Sequence, residues 1–281
     1  METIIRSKSR EVVIGPDQPT RIIGERINPT GKKLLAAALA EKDMSRVKRL
    51  AESQVAEGAA ILDVNVGAAG VDEVELLPMA VRAVMEVTDT PLALDSPNTQ
   101  ALRAALEAYE GKALINSVNG EEASLNRVLP LVKEFGAAVI GLTMDESGIP
   151  QTAVDRLAVA YKIVGRAEAL GIPREDVLID CLALTVGADS NAALVTLEAI
   201  RLVRAELGVN LALGVSNVSF GLPDREAIND AFLAMALGCG VNAPIVNPAL
   251  ACRTALVADL LLGRDEYAMR YLRYCRAHKA G

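Results

Sequence analysis

The stretch LALDSPN, residues 92–98, carries an apolar run into Asp95 and then directly into Ser96, Pro97 and Asn98. A carboxylate ahead of Ser-Pro is an ordinary way to open a helix, so a single instance decides nothing. The pattern recurs along the chain. Short apolar runs stand at RIIGERIN (21–28), AAILDVNVG (59–67), PLALDS (91–96), ALINSVN (113–119), AAVIGLT (137–143), DVLIDCL (176–182), LALGVSN (211–217) and APIVNP (243–248). Nearly all finish in polar residues: Glu25 and Asn28, Asp63 and Asn65, Asp95, Asn116, Thr143 and Asp145, Asp180, Ser216 and Asn217, Asn247.

Longer segments with helical spacing separate these runs. In DMSRVKRLAESQVAEG, Met44, Val47, Leu50, Ala51 and Val55 share a face and Gly58 supplies the stop. DREAINDAFLAMALGCG and ADSNAALVTLEAIRLVRAELG follow the same plan. Eight strand–helix units in 281 residues predict an α/β fold of the (β/α)8 TIM-barrel type, one domain over 1–281. Residues 1–18 are expected as a lead-in covering the bottom of the barrel, and 264–281 as an added C-terminal helix. Tyr267, Tyr271 and Tyr274 lie at helical spacing there, serving either outer packing or a partner surface. No Gly-rich phosphate fingerprint follows the first strand, which disfavours a dinucleotide fold.

Composition narrows the function. Hydrophobic residues make up 51% and aromatics 3%, with no Trp, so the core is aliphatic. A net charge of -7 without a basic cluster argues against a nucleic-acid partner. Cys181, Cys239, Cys252 and Cys275 are widely spaced and read as reduced thiols of a cytoplasmic protein. The single histidine, His278, leaves little for a zinc site. No run reaches membrane-spanning length.

In a barrel the strand ends converge on one face, where such enzymes place their chemistry. Asp, Asn and Ser also shape turns and caps, which accounts equally well for Asp145 and Asn65. It accounts less well for Asp95, Asn116, Asp180 and Asn217, which sit within or directly after apolar runs where a polar group needs a partner. The set holds no evident nucleophile and no acid poised near neutrality. Carboxylates with amides suit a flat heterocycle: a carboxylate can accept from an amino group and the adjacent ring N–H together, and Asn offers a donor and an acceptor. The residues alone therefore point to a pterin- or purine-like ligand.

Seven motifs go further. IIGERIN (22–28), LDVNVG (62–67), LALDS (92–96), LINS (114–117), IGLTMDESGIP (140–150), LID (178–180) and GVSNVS (214–219) occur in an order that resembles the pterin-binding barrel of the methyltetrahydrofolate:corrinoid (iron–sulfur) protein methyltransferases, over about residues 20–262. The resemblance implies that Asp95, Asn116 and Asp180 hold the pterin, that Asn217 with Ser216 reaches the methyl-bearing N5, and that Arg225 meets the anionic folate tail. The alternative for Arg225 is a surface ion pair with Asp224 or Glu226. The resemblance further implies methyltetrahydrofolate or tetrahydrofolate as substrate, cobalamin carried by a separate corrinoid protein, and a homodimer. Cys181 and Phe220 depart from the acetogen pattern, which has Pro and a polar residue there, and Phe220 could stack on a ligand or simply pack. The competing readings are a dihydropteroate synthase-like enzyme and a non-catalytic folate-binding module.

Overall fold

The computed structural model describes residues 1–278; residues 279–281 of the expected terminal helix and the side chain of His278 lie outside the described part. A hairpin, β1 (Thr3–Arg6) with β2 (Glu11–Ile14), comes first. The chain then runs β3 (Ile23–Ile27), α1 (Lys33–Ala40), α2 (Ser45–Ala56), β4 (Ile61–Asn65), α3 (Glu73–Met85), β5 (Leu92–Asp95), α4 (Thr99–Ala108), β6 (Leu114–Asn119) and α5 (Glu122–Phe135). It continues with β7 (Ala138–Leu142), α6 (Ala153–Ala169), β8 (Val177–Asp180), α7 (Ala192–Leu207), β9 (Asn210–Gly214), α8 (Arg225–Cys239), β10 (Ala243–Val246), α9 (Pro248–Leu261) and α10 (Met269–His278). Strands β3 to β10 close into a parallel barrel in sequence order, β10 pairing with β3. This is the expected (β/α)8 barrel.

Each strand alternates between two environments because its side chains point to opposite faces. The outward set, including Leu62, Val64, Leu92, Leu94, Ile115, Val139 and Ile179, packs against the helices in one large apolar layer. The inward set begins apolar, with Ile23, Ile61, Ala93, Leu114, Ala138, Leu178, Ala212 and Ala243 forming a second, separate cluster. Two residues further along, the inward register reads Glu25, Asp63, Asp95, Asn116, Ile140, Asp180, Gly214 and Ile245. The barrel lumen is thus apolar below and mostly polar above.

The lower end is closed by the N-terminal hairpin. Ile5, Val12 and Ile14 join the inward apolar cluster, all of them buried. Asn210, at the start of β9, donates from Nδ2 to Thr3 Oγ1 (2.8 Å) and to the Ile14 carbonyl (2.9 Å), pinning the hairpin to the barrel. Many inward positions at this end are alanine, and the three branched side chains of the hairpin fill the space they leave.

On the outer layer, α2 turns Val47 and Ala51 inward, with Met44, Leu50 and Val55 partly buried beside them. Gly58 follows with φ +104, and a Cβ there would lie 2.9 Å from Cys252 Sγ, so both conformation and space require glycine.

Three details differ from the sequence expectation. Helix α1 was not anticipated, because its one buried edge, Leu35 and Leu39, is too short to set up a visible period. Residues 215–217 are not strand: Val215–Ser219 form a 3-10 turn directly after β9. The C-terminal helix starts at Met269 rather than 264, since Tyr267 adopts φ 51 and Asp265 accepts the Arg270 and Tyr271 amides, capping α10. Tyr267 therefore does not continue the face carried by Tyr271 and Tyr274. No helix among the described residues is long and apolar enough to cross a membrane.

Truncating the plug is expected to be costly. Ile5 is 0% exposed, and Ile5→Ala should lower unfolding stability by about 2–5 kcal/mol through lost burial and an unfilled cavity. Urea unfolding would show this as an earlier midpoint with an unchanged slope; a midpoint equal to that of the unaltered protein would mean that the hairpin is not part of the cooperative core.

Candidate active site

The upper, polar end of the lumen opens into a cavity of about 680 Å³. Asp95, Asn116, Ser216, Asn217 and Arg225 all line it, together with Asp63, Glu25 and Asn247. Five of the six residues singled out from the sequence are thus brought to one place from β5, β6, the 3-10 turn and α8. Asp180 is the exception. It stands buried at the end of β8, where Oδ1 accepts the Leu182 amide (2.7 Å) and Oδ2 the Gly214 amide (3.0 Å), and it is not among the lining residues. Of the remaining strand-end residues, Asn28 reaches the cavity, whereas Asp145 shapes a turn by accepting the Ser147 amide.

The floor of the cavity is a network of two carboxyls and two amides. Asn65 Nδ2 donates to Asp95 Oδ2 (2.9 Å), while its Oδ1 accepts the Gly67 amide (2.8 Å). Asn116 Nδ2 donates to Asp63 Oδ1 (3.0 Å). Asn65 therefore both shapes its turn and orients Asp95. Asn65 Oδ1 is taken by Gly67, whereas Asn116, donating to Asp63, keeps its Oδ1 as an acceptor on the floor beside the two carboxyls. A register shift in β6 between Asn116 and Val118, and another in β3 between Gly24 and Ile27, fall beside Asn116 and Glu25. Such irregularities commonly redirect side chains beside active sites. Gln54 from α2 secures the second one by accepting the Arg26 amide (2.8 Å).

Burial dominates the electrostatics. It pushes Asp95 up to about 6, assisted by the charge of Glu73 and opposed by the Asn65 hydrogen bond. Asp63 is raised well above the carboxylate range by burial first, then by the neighbouring Asp95 charge. Asp180 rises to about 6 by burial, against its two backbone hydrogen bonds and Arg156. Glu25 is raised by burial despite Lys32, Arg26 and Arg225 nearby. The sequence suggested no acid poised near neutrality; enclosure in the lumen produces several, a property that no local residue pattern reveals.

Arg225 forms neither of the ion pairs considered for it. Its Nη2 donates to the Ser216 carbonyl (2.6 Å) and its Nε to Ser219 Oγ (3.0 Å), and its guanidinium lies 6.0 Å from the ring centroid of Phe220. It thereby braces the turn that presents Asn217. Phe220 itself is 68% exposed. Sequence reading missed Lys32, which lines the cavity and donates to the Arg26 and Asn28 carbonyls, and Arg156. Arg156 is 1% exposed and donates to the Pro150, Cys181 and Leu182 carbonyls and to Thr196, holding the loop after Asp180. Neither stands at a strand end, so no positional signal marked them.

Residues 24–247 match the family described as pterin binding enzyme. The chain belongs to that family. It is 29% identical over 270 residues to the methylcorrinoid:tetrahydrofolate methyltransferase of Eubacterium limosum, covering 92% of this chain and 97% of that protein. It is 32% identical over 259 residues to the methionine synthase of Mycobacterium tuberculosis, of which it spans 22%. Among solved structures, Yersinia pestis DHPS with a pterine–sulfa conjugate superimposes with a TM-score of 0.72 at 16% identity over 94% of this chain and 99% of that one. The Xanthomonas albilineans dihydropteroate synthase in complex with 7,8-dihydropteroate gives 0.63 at 21% identity over 89% and 95%. These two establish a shared barrel. The methyltransferase relatives bear out the resemblance carried by the seven motifs, and this pterin-binding barrel is that of an enzyme.

The raised Asp95 gives a signed expectation. Its ordinary value is 3.8 and its folded value about 6, so the native state binds the proton more tightly and ionisation costs stability as pH rises between the two. That cost is fully present at pH 7. Asp95→Asn should therefore raise stability by about 1–2 kcal/mol at neutral pH, with the gain disappearing in acid, in thermal or urea unfolding at the two pH values. An equal effect at both would show that the gain does not arise from the buried charge.

Proposed function

We propose that this enzyme moves the N5 methyl group between methyltetrahydrofolate and the cob(I)amide of a separate corrinoid protein. The observation that carries the reading is the joint placement, in one cavity, of an acceptor floor from Asp95 and Asn116 and a wall bearing Asn217 and Arg225, in a chain matching nearly the full length of a methylcorrinoid:tetrahydrofolate methyltransferase. Asp95, when ionised, accepts from the 2-amino group and the adjacent ring N–H; Asn116 contributes through its free carbonyl oxygen. Asp180 supports the site from beside the cavity, its carboxylate holding the Leu182 and Gly214 amides in place. Ser216 and Asn217 face the methyl-bearing side, and Arg225, at the rim, meets the anionic tail.

Displacing a methyl from a tertiary amine leaves the electron pair on nitrogen, so stabilisation that grows as the C–N bond breaks lowers the barrier. Asn217 is exposed on its turn at the cavity wall, placed to hydrogen-bond N5 as a proton is added there. The two electrons that form the new carbon–cobalt bond come from the corrinoid. The match over nearly the full length of a methylcorrinoid:tetrahydrofolate methyltransferase supports delivery of that group by a partner protein over the open mouth. Four free cysteines support a cytoplasmic setting, and the family resemblance supports a homodimer.

The reading is tested anaerobically by mixing free cob(I)alamin with methyltetrahydrofolate and following the cob(I) band. Protein-dependent loss of that band with growth of methylcobalamin is the expected result; absence of both transfer and pterin binding would remove the proposal. Asn217→Ala should lower the rate of transfer by about 10²-fold or more while methyltetrahydrofolate still binds. Unchanged transfer in that variant would exclude Asn217 from N5 activation.

A further inference from the structure

Asp63 stands apart from the other carboxyls of the cavity. It is 3% exposed, lines the cavity floor, and accepts a single hydrogen bond, from the uncharged amide of Asn116. No Lys, Arg or His pairs with it among the described residues. The groups facing it are Asn116 from β6 and two further acids, Asp95 from β5 and Glu25 from β3, with Glu73 of α3 acting on Asp95 from behind. An ionised carboxylate in such a place would be both desolvated and repelled, and a buried charge without a partner is the most costly arrangement a core can hold. Each of the two acids accepts one amide hydrogen bond, but Asp95 is the less enclosed, so it is the member of the pair that ionises. With the Asp95 charge acting on it and no cation beside it, the more buried Asp63 is the acid that keeps its proton.

A neutral Asp63 is a hydrogen-bond donor. Its Oδ1 is engaged by Asn116, which leaves Oδ2 to carry the proton. The floor then presents one donor beside the acceptors of Asp95 and Asn116. A 2-amino-4-oxo-pyrimidine edge has the complementary order, a ring nitrogen or oxo oxygen as acceptor flanking its amino and N–H donors. We propose that Asp63 is a specificity-determining residue that stays a neutral carboxylic acid and donates to the ring acceptor beside the donor pair read by Asp95. This rests on the pterin reading above. It adds a requirement which that reading does not contain: the site recognises the ring through one ionised and one protonated carboxyl rather than two anions. The strong upward shift of Asp63 agrees with the geometry.

The test is calorimetric titration of methyltetrahydrofolate into the unaltered protein, Asp63→Asn and Asp63→Ala, from mildly acid to alkaline pH. Binding to the unaltered protein should weaken at both ends. On the acid side Asp95 is protonated as pH falls through about 6. On the alkaline side Asp63 loses its proton, and with it the donor. The amide of Asp63→Asn donates at every pH, so this variant should lose the alkaline decline and keep the acid one. Asp63→Ala should bind about tenfold more weakly or worse at neutral pH. An Asn variant as weak as the Ala variant would show Asp63 acting as an anion, and one that keeps the full alkaline decline would show that the decline arises at another group, such as the ring N–H; either result would overturn the proposal. Binding by Asp63→Ala equal to that of the unaltered protein would overturn it too, by showing no contact with the ring. If Asp63→Ala does not fold, the pH profile of Asp63→Asn decides alone. Failure of the unaltered protein to bind methyltetrahydrofolate at any pH would sink the substrate reading, and this inference with it.

Discussion

Closure of the barrel is the constraint on which everything else depends. Once β10 pairs with β3, every second residue of eight strands must face a lumen just wide enough for side chains to fill. A position two residues further along each strand is then one layer higher on all of them. The chain uses this to change the chemistry of the lumen within one step, from Ile23, Ile61, Ala93 and Leu178 to Glu25, Asp63, Asp95 and Asp180. The apolar layer and the hairpin plug beneath it supply cohesion; the layer above holds polar groups away from bulk water.

Enclosure is unfavourable for those groups, and the structure limits that cost. Asn65 and Asn116 each donate to one acid, Asp180 receives two backbone amides, and the mouth carries Lys32, Arg26 and Arg225 around Glu25. Compensation is deliberately incomplete at Asp95 and Asp63, which keep oxygens unspent. Their raised proton affinities are the thermodynamic expression of that deficit. A ligand whose edge completed the pattern would relieve it, and on the proposed reading this is the source of the site's selectivity. Function here is stored as unsatisfied polarity, at the expense of stability.

A second tier of residues keeps the first in place without touching the cavity floor. Arg156 ties the loop after Asp180 through the Cys181 and Leu182 carbonyls and anchors it to Pro150 and Thr196. Arg225 fastens the turn that carries Asn217. Gln54 fixes the irregularity at Glu25. Each reaches across from a helix to the end of a neighbouring strand, so rigid outer elements set the position of loops that would otherwise be free to move.

The alternation of apolar runs with helical segments was readable from the chain, because the side-chain periods of strand and helix are local properties. So were the polar strand ends, and with them the gathering of Asp95, Asn116, Ser216, Asn217 and Arg225 around one cavity, since the order of a barrel brings those ends together. Only the tertiary structure decided which of them share the cavity and in what chemical state. Asp180 looked equivalent to Asp95 in sequence, yet backbone amides occupy its oxygens and the lining of the cavity excludes it. Asp63 looked like one strand-end acid among many, yet its burial beside Asp95 sets it apart. Lys32 and Arg156 left no mark at all. The reason is physical: solvation and pairing depend on what surrounds a group in three dimensions, and in this barrel those neighbours come from strands and helices distant along the chain.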